Sequence, residues 1–149
     1  MPICMGTTTE RDTDQDTDMA AKYYERATQL DPNYAVAWVG LSRARNWQAS
    51  EGLISTEDGH RLAREAIERA LALDPNLAEA YSQMARLKTF VDFDWAGADE
   101  SNRRAIAREP GNPGYLKQAA DSAARFRRFD EALALARRSV ELDPLNANS

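Results

Sequence analysis

The feature that most constrains this chain is a recurring joint, in which a helix-forming run closes on Asp-Pro or Glu-Pro and a new helix start follows at once. It occurs as Leu30-Asp31-Pro32-Asn33, Leu73-Asp74-Pro75-Asn76, Arg108-Glu109-Pro110-Gly111 and Leu142-Asp143-Pro144-Leu145. Proline lacks an N–H and its ring clashes with the preceding turn, so it ends one helix and suits the first turn of the next. The four prolines lie 43, 35 and 34 residues apart. Two intervals have the length of a two-helix unit and one carries extra residues. A period of this size marks a helical-repeat solenoid.

Hydrophobic periodicity fills the intervals with helices, and no segment alternates with period two as a strand would. From Asp18, which can cap, Ala20, Tyr23, Tyr24, Ala27 and Leu30 recur at three- and four-residue steps and predict a helix over 19–31. Residues 34–47 place Ala37, Trp38, Leu41, Ala44 and Arg45 on one side and Val36, Val39, Arg43 and Asn46 on another. That pattern suits a helix packed on one face and in contact on the other. The polar stretch 48–55 takes the extra residues of the long interval, because an insertion in a surface loop costs little. Ser55 or Thr56, followed by Glu57 and Asp58, signals the next helix. It carries Leu62, Ala63, Ala66, Ile67, Ala70 and Leu71 on to Leu73. Helices over 76–90, 95–108 (capped by Asp94), 114–126 and 129–142 bring the number to seven. Asn102 and Arg108 stand where other copies place apolar or small residues, so looser burial is expected there.

The chain has 149 residues, 43% apolar and 29% charged, enough for one soluble domain with a core. No apolar run approaches the ~20 residues that cross a bilayer. Met1 to Gly6 has no signal-peptide core, so the cytoplasm is the expected default location. A single cysteine, Cys4, excludes an intramolecular disulfide and a cysteine-rich zinc site. Of the net charge of −5, Glu10, Asp12, Asp14, Asp16 and Asp18 against Arg11 place −4 in residues 1–18. These are expected to form a disordered acidic leader. The remaining 18 basic and 19 acidic side chains offer no field for nucleic acid. The expected organisation is leader 1–18, a helical domain over 19–145 and the start of a further helix at 146–149. The domain comprises an unpaired helix 19–31 and pairs 34–74, 77–109 and 113–143.

Aligned on the prolines, small residues fall twelve and five positions before each joint: Ala20 and Ala27, Ala63 and Ala70, Ala98 and Ala105, Ala132 and Ser139. Small side chains let helices approach closely while a larger one between them, Tyr24 or Ile67, fills the gap. This pattern resembles the tetratricopeptide repeat, with its Trp-x2-Leu-Gly-x2-Tyr first helix and its Ala-x3-Phe second helix closed by Pro. Trp38 and Leu41 match the first half, with Ser42 and Arg45 in place of Gly and Tyr; Tyr81, Met84 and Ala85 match more loosely, as do Leu116, Ala119 and Ala120. The resemblance covers residues 19–144 and implies an all-α, right-handed superhelix of about seven helices. Phe93-Asp94-Trp95-Ala96-Gly97-Ala98 and Arg128-Phe129-Asp130-Glu131-Ala132 also resemble repeat regions of large bacterial signalling proteins.

No catalytic, metal or cofactor site emerges from the residues. His60 stands three positions before Ala63, as Trp95 stands before Ala98, and so occupies a packing position. The pairs Glu57/Asp58 and Asp99/Glu100 are adjacent in sequence, cannot converge on one helical face and read as helix-start charge. No phosphate loop or nucleophile motif is present. The resemblance implies instead a concave face formed by the first helix of each pair. It would present Val39, Arg43 and Asn46, then Ser82, Arg86 and Thr89, then Lys117 and Asp121. Arg43, Arg86 and Lys117 make that face mildly basic, suited to an acidic or C-terminal peptide. Val39, Ser82 and Asp121 stand where a chaperone-tail clamp would favour Lys or Asn, which speaks against that ligand. Tyr23, Tyr24, Leu135 and Val140 are expected to leave apolar flanks at the two ends, which invite association.

Three functions follow as expectations. The first is a non-enzymatic scaffold that binds a peptide or helix in its groove, without cofactor, nucleic acid or membrane. The second is a regulatory or dimerising segment of a larger bacterial signalling protein, such as a cyclase, kinase or transcription regulator. The third, a helical-repeat RNA reader, fits the period but not the neutral body.

Overall fold

The computed structural model describes residues 8–146. It contains seven α-helices: α1 (Thr8–Leu30), α2 (Ala35–Ser50), α3 (Thr56–Leu73), α4 (Ala78–Phe90), α5 (Trp95–Arg108), α6 (Pro113–Arg125) and α7 (Phe129–Leu142). A 3-10 turn, Pro144–Asn146, follows, and no strand occurs among the described residues. The chain divides at the second joint into two compact units, Met1–Leu73 and Asp74–Ser149.

In the first unit α2 packs against both α1 and α3. Helix α1 begins at Thr8, well before the expected start at 19. Two contacts hold its upstream part. Thr17 is buried, and Asp18, instead of capping, accepts from Gln48 Nε2 at 2.9 Å and pairs with Lys22 at 2.5 Å. Residues 1–7 of the expected leader lie outside the described residues. The buried stripe of α1 is Thr17, Ala21 and Thr28, while Tyr23 and Leu30 are exposed. The Tyr24 ring lies over Gly40, where a Cβ would overlap it.

Helices α2 and α3 have 16 and 18 residues, against 13 and 14 in α4 and α5. The extra residues of the Pro32–Pro75 interval therefore lengthen two helices and do not form the loop expected at 48–55. Gln48 and Ala49 are buried, and a Cβ on Gly59 would overlap that of Ala49, so the lengthened ends meet closely. Gly52 (φ +73°) closes α2, with its N–H on Ala49 O and that of Leu53 on Gln48 O. This is a Schellman turn. Ser55 Oγ accepts from the Asp58 N–H at 3.1 Å and donates to Asp58 Oδ2 at 2.8 Å, which opens α3. Led by the Ser55 hydroxyl and helped by Arg61, these bonds hold the Asp58 carboxyl below its ordinary pKa. Between Ala63 and Ala70, both buried, Ile67 is completely enclosed. Enclosing a side chain of that size contributes about 1.5–3 kcal/mol.

The second unit packs α4 on α5, α5 on α6 and α6 on α7. Leu87 and Leu116 are fully buried, with Ala98 and Ala105 beside them. Asp94 caps α5 by accepting from the Gly97 N–H at 2.9 Å, as its position predicts. The first two joints share one chemistry. Asp31 Oδ1 accepts from the Asn33 N–H at 3.0 Å and Asp74 Oδ1 from that of Asn76 at 2.9 Å. These are Asx turns, the reason Asp precedes Pro. Trp38 Nε1 donates to Pro32 O and Tyr81 Oη to Pro75 O, each at 3.0 Å. At the third joint Glu109 is one methylene longer. There Asn112 caps α6 instead, accepting from Gly114 N at 3.1 Å and Tyr115 N at 3.3 Å.

Where Asn102 and Arg108 depart from the other copies, neither residue is left exposed. Asn102 is only 3% exposed. The Arg108 guanidinium lies 4.2 Å from the Tyr81 ring centre and donates to Pro75 O at 3.1 Å, a cation on an aromatic face that replaces apolar packing. Asp99 is no helix-start charge. Its carboxylate accepts from Ser122 Oγ at 3.0 Å, Arg128 at 2.5 Å and Arg103 at 3.1 Å, joining α5, α6 and the turn before α7. Burial opposes its ionisation, but the bonds from Arg128, Ser122 and Arg103 outweigh that and lower its pKa. Along α7 no residue is fully buried. Phe129, Leu133, Val140 and Leu142 are exposed and Leu135 half-buried. Residues 147–149, within the expected further helix, lie outside the described residues.

Candidate functional site

Among the described residues no three His, Cys, Asp or Glu side chains gather to hold a metal ion. His60 lies half-buried in α3. No described helix is long and apolar enough to cross a membrane. A hollow in the second unit has the most distinctive lining. It measures about 310 Å³ and is walled by Arg86, Thr89 and Phe90 from α4, Trp95, Ala98 and Asn102 from α5, and α6 from Gly114 to Arg125.

The register explains the hollow. Eight positions before a joint proline, the first two copies carry Tyr24 and Ile67; the third carries Asn102, shorter than either. The space is left open between Ala98, which ends at Cβ, and Gly114, which has no side chain. Phe90 and Trp95 stand at the helix ends on either side of the α4–α5 turn and are 64% and 48% exposed. Arg86, Lys117 and Arg125 bring three positive charges to the lining against the one negative charge of Asp121. Arg86 and Arg125 are exposed and engaged by no carboxylate among the described residues.

Of the eight residues expected on the concave face, Arg86, Thr89, Lys117 and Asp121 line this hollow. Ser82 is buried instead: its Oγ donates to Gln118 Oε1 at 3.0 Å, and Gln118 Nε2 returns a bond to Ser82 O at 2.9 Å. That reciprocal pair fixes α4 to α6. Val39 is 0% exposed and is a core residue. Its β-branched side chain on the expected outer face is enclosed. Arg43 and Asn46 are half-buried on α2, in the other unit. Phe90, Trp95, Asn102 and Arg125 belong to the lining but escaped the sequence reading. Only Asn102 carried a signal, its polarity at a position filled by larger side chains elsewhere.

The second unit is thus a small all-α helical-repeat unit with a basic, aromatic-rimmed hollow. The tetratricopeptide repeat model matches residues 12–34, starting inside the stretch expected to be leader. Among solved structures, the chain is similar to a thermophilic TPR protein of Thermus thermophilus. The identity is 20% and the TM-score 0.75, over 87% of this chain and 67% of that one. It is also similar to MamA 41-end from Desulfovibrio magneticus RS-1, with 18% identity and TM-score 0.65 over 91% of this chain and 70% of that one. No curated protein matches the sequence. The repeat match and the likeness of fold bear out the resemblance to the tetratricopeptide repeat family and the all-α helical-repeat class.

Proposed function

We propose that this chain is a non-enzymatic scaffold whose second unit binds an acidic peptide across the hollow of α4, α5 and α6. The observation that carries the reading is the convergence of Arg86, Lys117 and Arg125 on a hollow rimmed by Phe90 and Trp95. Exposed guanidinium groups attract an acidic segment and speed its encounter, an effect that added salt screens. The rings supply area that charge alone lacks. In this reading the chain works in the cytoplasm on a protein partner, without a cofactor, and neither nucleic acid nor a membrane is its ligand. The test is fluorescence anisotropy with a labelled acidic peptide. Arg86→Glu combined with Arg125→Glu should abolish binding while circular dichroism stays unchanged. Retained affinity would remove the groove.

A second reading rests on α7, whose Phe129, Leu133, Val140 and Leu142 are exposed. A regulatory or dimerising segment of a larger bacterial signalling protein would cover that face with another copy. Light scattering across a concentration series checks it. A mass fixed at 16.6 kDa at every concentration would sink self-association.

A further inference from the structure

The hollow's polar side chains are not equivalent. Thr89 Oγ1 bonds Ala85 O, Gln118 pairs with Ser82, and Ser122 Oγ bonds Asp99. Asn102 differs: it is 97% buried, lines the hollow, and its carboxamide makes no hydrogen bond among the described residues. With no protein partner, its carboxamide edge opens onto the hollow, where a ligand can supply hydrogen bonds. An aliphatic side chain at this register is compatible with the fold, as Ile67 shows in the first unit.

We infer that the hollow is a side-chain pocket in which Asn102 selects an aromatic group bearing a hydrogen-bonding edge, the tyrosine phenol among protein side chains, presented by the bound peptide. The inference rests on the peptide-binding reading above. A carboxamide offers a donor and an acceptor side by side, and a phenolic hydroxyl answers both. The Trp95 and Phe90 rings suit a planar guest in offset or edge contact, and Arg86 and Arg125 add cation–π attraction. A volume of about 310 Å³ falls at the small end of ligand sites and suits one large side chain.

The test uses the full chain and four probes: Glu-Glu-Tyr-Glu-Glu, the same peptide with Phe or Ala at its centre, and free 4-methylphenol. Affinities come from titration, and occupancy from the NMR shift of the Asn102 side-chain NH₂. The Tyr peptide should bind about tenfold tighter than the Phe peptide, with Ala weakest, and should move the Asn102 signal. Asn102→Leu should erase the Tyr-over-Phe preference with helical content unchanged. Trp95→Ala, at an exposed ring, should weaken the Tyr and Phe peptides alike. If the acidic peptides bind through Arg86 and Arg125 but Asn102→Leu leaves the Tyr/Phe ratio unchanged, the pocket assignment is overturned while the groove stands. Binding of 4-methylphenol to wild type but not to Asn102→Leu, with no peptide bound, supports selection by Asn102 and overturns the peptide. If no probe binds, both are overturned.

Discussion

The two units carry the same register and treat one position in opposite ways. Eight residues before its joint, the first unit places Ile67, completely enclosed between Ala63 and Ala70; the second places Asn102 between Ala98 and Ala105 and keeps a hollow above it. The flanking small residues are buried in both, so helix approach is conserved while the filler is not. Core packing near crystal density makes an unfilled position costly. A copy that retains one beside three cations and two exposed rings has relaxed its packing where a ligand can restore it. On the proposed peptide-binding reading, the first unit is the stabilising part and the second the receptive one.

Emptying the filled position should have the largest effect. Ile67→Ala should lower unfolding free energy by about 2–5 kcal/mol, measured by urea denaturation followed by circular dichroism. Asn102→Ile, which fills the hollow with an aliphatic side chain, should instead stabilise by about 1 kcal/mol. Changes of the same sign at both positions would break the contrast between units.

The next prediction concerns how the second unit holds itself together around the hollow. Removing the Asp99 carboxylate strands Arg128 and Ser122, so Asp99→Ala should cost about 1–3 kcal/mol. Its pH dependence has a definite sign. The folded pKa of Asp99 lies below the unfolded value, which is near 3.9. Its contribution is thus fully present above about pH 5 and disappears as pH falls through the folded pKa. The gap in urea midpoint between wild type and Asp99→Asn should be constant from about pH 5 upward and close toward pH 2. A gap that widens on acidification would contradict the assignment.

The helices and joints were readable because proline and apolar periodicity act locally. The Asp-Pro-Asn phrase even encodes its own turn, since the Asp carboxylate reaches the N–H two residues on. What escaped reading depends on long-range geometry. A surplus of eight or nine residues looks the same in sequence whether it forms a loop or lengthens α2 and α3, and only the close approach of Gly59 to Ala49 decides. Asp99 and Glu100 look alike in sequence, yet only Asp99 meets Arg128, which lies 29 positions away. Half of the expected groove residues line the hollow because charge on the first helix of a pair is visible. Val39 and Ser82 do not, because a helix face alone does not reveal what covers it.

The smallest effect compares the turns that close α2 and α6. Both end in a Schellman geometry, with Gly52 at φ +73° in the first unit and Arg127 at φ +59° in the second. Arg127 N bonds Ala124 O and Arg128 N bonds Ala123 O, each at 2.9 Å. The left-handed region costs a side chain about 1–2 kcal/mol, while glycine adds roughly 0.5–1 kcal/mol of chain entropy to be lost on folding. Gly52→Ala meets no atom within 4 Å, so its cost is purely one of backbone conformation, about 1 kcal/mol. Arg127→Gly keeps the same two backbone bonds and should gain up to about 1 kcal/mol, raising Tm by a few degrees. A fall in Tm for Arg127→Gly would show that the arginine side chain, exposed as it is, contributes more to the α6–α7 turn than its backbone strain takes away.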